Sequence, residues 1–154
     1  MTDSSIVDIR RTCMGMLARR EHSRQELFSK LVQKDFEPDA VNAVLDEFSE
    51  KNLQCDQRFS EAYIRFRLQQ GFGPLRIQQE LEQRGVNAAL IRQGLETYAD
   101  QFFKSVREVF QKKFGDSPEA DFKSRAKQQQ FLHYRGFNSD HIRAIYSSSC
   151  PQGI

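Results

Sequence analysis

The sequence predicts an all-α protein made of three tandem three-helix modules in an elongated array that can curve. Three observations predict it. A pattern repeats at offsets of 50 and 51 residues, apolar side chains inside each copy follow the helical period, and helix-capping residues recur at matching places in the repeat. No stretch has the alternating pattern of a strand.

The first module opens with Ile9, Cys13, Met16 and Leu17 on one helical face. Ser23-Arg24-Gln25-Glu26 then has the form of a capping box and starts a second helix. That helix carries the repeat signature, Leu-x-x-basic-Gly/Asp-apolar, as Leu31-Val32-Gln33-Lys34-Asp35-Phe36. Asp35 occupies a left-handed helix-ending position at some steric cost. Glu37-Pro38 starts the third helix, with Pro at the first helical position, and Val41, Val44, Leu45 and Phe48 form its apolar face.

The second module repeats the plan with Phe59, Tyr63 and Phe66 on its first helix, and Gly73-Pro74 opens the second. Leu81-Glu82-Gln83-Arg84-Gly85-Val86 is the signature, Asn87-Ala88 the next helix start, and Ile91, Gly94, Leu95 and Tyr98 the apolar face. The third has Phe103, Val106, Phe110 and Phe114, then Leu132-His133-Tyr134-Arg135-Gly136-Phe137. Asn138-Ser139 follows, and then Ile142, Ile145, Tyr146 and Ser149. Gly85 and Gly136 supply the positive φ that a left-handed last residue needs. These apolar stripes are expected to be core, in helices of about 16, 12 and 11 residues. The expected modules are 1–54, 55–98 and 99–154.

Composition agrees with a folded chain that does not enter a membrane. The 154 residues are 38% hydrophobic and 29% charged, with 13 Phe and no Trp, and the mean hydropathy is −0.68. No apolar run approaches the ~18 residues of a spanning helix. Met1 to Arg11 has no apolar core of a secretory signal, so a cytoplasmic location is expected. Cys13, Cys55 and Cys150 are odd in number and far apart, which suits reduced, buried thiols rather than disulfides or a metal site.

Catalytic patterns are absent. There is no Gly-rich phosphate loop, no Gly-x-Ser-x-Gly and no His-Glu-x-x-His, and His22, His133 and His141 fall in different modules or turns. Gly71-Phe72-Gly73-Pro74 follows a helix and lacks the lysine of a phosphate loop, so it is a helix connector. Arg76, Glu80 and Arg84 are spaced as an intrahelical charge ladder, worth about 0.2–0.5 kcal/mol per pair. The chain is therefore not expected to be an enzyme, and no cofactor or metal is implied.

Charge is asymmetric along the chain. Residues 1–54 hold eight basic and ten acidic side chains, 55–98 six and five, and 99–154 nine and six. Arg58, Arg65 and Arg67 lie on one helix of the middle module, and Arg76 and Arg84 on the next. Lys123 and Lys127 share a helical face in the last module, with Arg125, Lys112 and Lys113 close in sequence. Such clusters suit carboxylates or phosphates, although a solvated helix face is the commoner meaning of a charge run. A helix-turn-helix reader is disfavoured, because residues 87–98 offer only Asn87, Arg92 and Gln93 to bases.

A family resemblance adds a function to this frame. The run Arg58-Phe59-x3-Tyr63-Ile64-x2-Arg67-x3-Gly71-Phe72-Gly73-Pro74-x-Arg76-Ile77-x2-Glu80-Leu81-x2-Arg84-Gly85-Val86 resembles the central motif of the RecX family of bacterial recombination regulators. Leu17-Ala18-x-Arg20-Glu21-His22-Ser23-x2-Glu26-Leu27-x3-Leu31 is similar to its N-terminal motif, and Phe131-Leu132-x2-Arg135-Gly136-Phe137 to its C-terminal one. Phe59 and Phe72 stand where the family commonly has Tyr, so each lacks a hydroxyl. The resemblance implies a monomer that binds the RecA filament on single-stranded DNA and lowers its ATPase, strand-exchange and co-protease activities. Arg65, Arg67, Arg76, Arg84, Lys123, Arg125 and Lys127 are the expected contact surface for RecA or for single- or double-stranded DNA, with Glu26 and Glu80 serving local structure. A direct nucleic-acid binder with the same basic residues is the alternative, and its affinity would fall steeply with salt.

Overall fold

The computed structural model describes residues 3–116 and 121–147. Among these residues there are nine α-helices and no strand: α1 (Asp3–Arg19), α2 (Arg24–Gln33), α3 (Pro38–Glu50), α4 (Asp56–Gln69), α5 (Pro74–Gln83), α6 (Ala88–Thr97), α7 (Ala99–Phe114), α8 (Phe122–Arg135) and α9 (Ser139–Ser147). The all-α repeat predicted from the sequence is thus observed.

Local chemistry sets the helix ends where the repeat places them. Ser23 and Glu26 form a reciprocal capping box on α2. The Glu37 carboxylate accepts from the Ala40 N–H, with Pro38 as the first helical residue. The Asn87 and Asn138 amide oxygens accept from the N–H groups of Leu90 and His141, each at 2.9 Å. At the other ends, Asp35, Gly85 and Gly136 have φ values of 69°, 81° and 101°.

The chain divides into two compact units. One comprises Met1–Tyr63 with Leu81–Ile91, the other Ile64–Glu80 with Arg92–Ile154, so the division runs through α4, α5 and α6. In the first unit, α1, α2 and α3 pack around Ile9, Cys13, Leu27, Leu31, Val41, Val44, Leu45 and Phe48. Burial pushes the Cys13 thiol up to about 11, which leaves it protonated and unreactive near neutral pH. Cys55 is half-buried, also as a free thiol, and Cys150 and Ser149 lie outside the described residues.

The second unit packs α7, α8 and α9 together, burying Phe102, Val106, Phe110, Leu132, Phe137, Ile142 and Ile145. His141 is buried among aromatic rings, edge-on to Phe103 at 4.6 Å and to Phe137 at 5.9 Å. Burial holds its imidazole below the usual 6.5, only partly offset by Asp140.

One expected core position is not core. Phe66 is 56% exposed, whereas Phe59 and Ile64 are buried. The inward face of α4 passes through Ser60 and Ile64, four residues apart, and a residue two positions beyond Ile64 points to the opposite side of a helix.

Candidate functional site

The Gly-Phe-Gly-Pro and Arg-Gly-Phe motifs meet in the second unit. After α4, Gly71 takes φ 87° and the Phe72 N–H donates back to the Arg67 carbonyl at 3.1 Å, closing the helix. The Gly73 N–H then donates to the Arg135 carbonyl at 2.8 Å, and the Leu75 N–H to the Gly136 carbonyl at 2.9 Å. The start of α5 thereby satisfies carbonyls at the end of α8. A Cβ on Gly73 would come closer than 3.0 Å to the backbone of Gly136 and Phe137, and one on Gly136 would lie 2.7 Å from the Arg76 nitrogen. Two backbones touch here, so only glycine fits at either place.

The same junction occurs one repeat earlier, inside the first unit. The Ser23 hydroxyl donates to the Arg84 carbonyl at 2.7 Å, and the Gln25 amide donates to the Gln83 carbonyl at 3.0 Å. The start of α2 is joined to the end of α5 as the start of α5 is joined to the end of α8. The motifs thus build junctions, and the charged groups around them are held in place by that construction.

Phe72 becomes a platform for cations. The guanidinium carbons of Arg67, Arg76 and Arg135 lie 3.9, 4.4 and 4.8 Å from its ring centroid. Glu80 joins two of them: Arg67 makes a bidentate pair with it at 2.9 and 2.8 Å, and Arg76 Nε donates to it at 3.3 Å. Arg135 Nη1 donates instead to the Gln70 carbonyl at 3.2 Å. The Arg67 and Glu80 side chains are only 17% and 18% exposed, so this pair is partly desolvated and fixed. Tyr134, at 77% exposure, stands beside Arg76.

The remaining sequence-predicted residues are not gathered at Phe72. Arg65 donates to the Tyr98 hydroxyl at 3.0 Å. Arg84 Nε lies 3.6 Å from Glu26, and its guanidinium sits over Tyr63. Glu26 is also bonded to Arg20 and to the Ser23 N–H. Burial would raise the Glu26 carboxyl, but Arg20 and the Ser23 N–H outweigh it and bring the group below its usual range. Arg125 lies over the Tyr146 ring at 4.3 Å, and its buried Nε has no hydrogen-bond acceptor among the described residues. Lys123 and Lys127 are exposed on α8.

Three family models match the chain in order: the first three-helix domain of RecX at residues 10–48, the second at 56–95 and the third at 99–145. The regulatory protein RecX of Pseudomonas fluorescens strain Pf-5 is 40% identical over 143 residues, covering 93% of this chain and 92% of that protein. That of Pseudomonas putida KT2440 is 43% identical over 141 residues, covering 92% and 90%. The chain belongs to the RecX family. The fold agrees: the crystal structure of RecX from Lactobacillus salivarius matches with a TM-score of 0.82 at 19% identity, over 96% of this chain and 98% of that one. A second RecX crystal structure matches with a TM-score of 0.78 at 20% identity, over 93% and 72%.

This RecX-family chain also has a basic feature that residue spacing alone did not assemble. The end of α4, one face of α7 and the end of α8 enclose an open groove of about 780 Å³ in the second unit. Lys104, Lys112, Lys113 and Arg135 line it, with Glu108 as its acidic member. Lys104, Glu108 and Lys112 are four residues apart on α7, a helical-face signal present in the sequence, but the α8 wall containing Phe131 and Arg135 is supplied by packing. Among the described residues, no helix is long and apolar enough to cross a membrane, and no group of three or more His, Cys, Asp and Glu could hold a metal ion.

Proposed function

We propose that this chain regulates the RecA recombinase by binding its filament on single-stranded DNA and lowering ATPase, strand-exchange and co-protease activities, acting in the cytoplasm without catalysis of its own. The observation that carries this reading is the ordered match of all three RecX domains, joined to relatives named as regulatory proteins over nearly their whole length. The modules are taken as 1–54, 55–98 and 99–154. Arg65, Arg67, Arg76, Arg84, Lys123, Arg125 and Lys127 are proposed as contacts. Lys123 and Lys127 are exposed and free to meet acidic groups, whereas Arg67 and Arg76 offer donors already oriented by Glu80.

The test is the DNA-dependent ATPase of RecA with this protein at sub-stoichiometric ratio. The rate should fall, and excess free single-stranded DNA should not restore it if the contact is to filament protein. Lys123→Glu with Lys127→Glu should weaken inhibition, because like charges brought together across an interface cost far more than a lost surface ion pair. Full activity of RecA with the wild-type protein present would refute the reading. Relief of inhibition by DNA, in proportion to DNA affinity, would favour the direct nucleic-acid binder.

A further inference from the structure

The groove of the second unit has the chemistry of a peptide site rather than a strand site. Its basic groups are mostly unpaired: Lys104, Lys112 and Lys113 are exposed and have no carboxylate within ion-pair distance among the described residues. With Arg135 they make four positive charges against the one negative charge of Glu108. Between them lies apolar surface from Leu68, Val109 and Phe131, all half-buried. Gly71 lets the end of α4 come down onto this surface, since a Cβ there would lie 2.9 Å from Val109 Cγ2.

The aromatic ring in the groove is already engaged. Phe131 has the Lys113 ammonium and the Arg135 guanidinium each 5.5 Å from its centroid, and it meets Phe114 edge-on at 5.4 Å. Single-stranded nucleic acid is held by cations together with open aromatic faces on which bases stack. In this groove the one lining ring is already met by two of those cations and by Phe114. What it offers instead is an apolar strip bordered by ammonium groups, with the Gln69, Gln70 and Gln101 amides at its edge for peptide hydrogen bonds. A peptide with carboxylates flanking Leu-like side chains is the complement of that surface.

We infer that this groove docks an acidic, amphipathic segment of the protein partner, with Lys104 and Lys112 reading its carboxylates. The inference rests on the regulator reading for the identity of the partner and on the groove alone for the chemistry. Two probes separate them: a labelled synthetic peptide of alternating Glu pairs and Leu pairs, and RecA filaments on single-stranded DNA. The wild-type protein should bind the peptide with an affinity that falls as salt rises, and Lys104→Glu with Lys112→Glu should weaken it roughly tenfold or more. Both side chains are exposed, so the variant should keep its helical circular dichroism, and Arg92→Glu on α6 serves as a charge control. The same variant should lose filament binding while a labelled oligo-dT is bound as before. Peptide and filament binding within twofold of wild type would overturn the groove assignment and leave the regulator reading standing. A wild type that binds the peptide but no filament would retain the groove chemistry and refute its assignment to RecA. Loss of oligo-dT binding in step with filament binding would make the groove a nucleic-acid site and overturn the inference.

Discussion

Replacing Gly73 by Ala tests whether the Gly-Phe-Gly-Pro motif is a junction. The added methyl must sit within 3.0 Å of the Gly136 carbonyl and the Phe137 nitrogen, backbone atoms that cannot rotate away as a side chain can. The chain can respond only by moving the start of α5 from the end of α8. That movement weakens the bonds from Gly73 to Arg135 and from Leu75 to Gly136, now 2.8 and 2.9 Å. Two such bonds are worth about 0.5–1.5 kcal/mol each, and an overpacked contact costs about 1–3 kcal/mol. The expected loss is therefore roughly 2–6 kcal/mol, or at least several degrees in Tm at ~2–4 °C per kcal/mol. Gly15 on α1 is the control, because a Cβ there meets nothing within 4 Å. Gly15→Ala should stabilise by up to about 1 kcal/mol through helix propensity. Urea unfolding followed by circular dichroism measures both. If Gly73→Ala lost less than about 1 kcal/mol, the close backbone approach would not be a feature of the molecule in solution, and the motif would not be a junction.

Three further outcomes are expected. Leu81→Ala should cost about 2–5 kcal/mol in the same assay because Leu81 is fully buried, while Phe66→Ser should cost under about 0.5 kcal/mol because that ring faces solvent. Glu80→Gln should destabilise by about 1–3 kcal/mol, since it removes the charge that joins Arg67 and Arg76 beside Phe72, and the loss should shrink in high salt. His22 and His141 are both held below 6.5, first by burial, so the unfolded chain binds protons that the folded chain refuses. Stability should be flat above that value and decline as pH falls from about 6.5 toward their folded pKa values; Glu26, whose pKa is also lowered, adds a loss only below the carboxylate value of 4.5. His141→Phe should flatten the first part of the decline, as read from urea midpoints across pH.

Most of the helical frame was legible because its determinants are local. A cap bonds to a backbone N–H three residues away, as Ser23, Asn87 and Asn138 do, and a left-handed last residue is selected at its own position, as at Gly85 and Gly136. The apolar stripe of α3 was equally legible, since all of Val41, Val44, Leu45 and Phe48 are buried. Phe66 misled because α4 carries apolar residues on more than one face, so periodicity alone could not choose among them.

The candidate site was legible only as a set of basic residues, without their partners. By itself the sequence determined the repeat, the helix starts and stops, the family motifs and the inventory of charge. Tertiary structure decided how that charge is used: Arg67 meets Glu80 across 13 positions, Arg84 reaches Glu26 across 58, and Arg135 joins Lys104 and Lys112 around one groove. The physical reason is range. Capping and helical periodicity act over three or four residues and are written contiguously, whereas ion pairing and groove formation depend on which helix faces are brought within a few ångströms, and packing alone makes that choice.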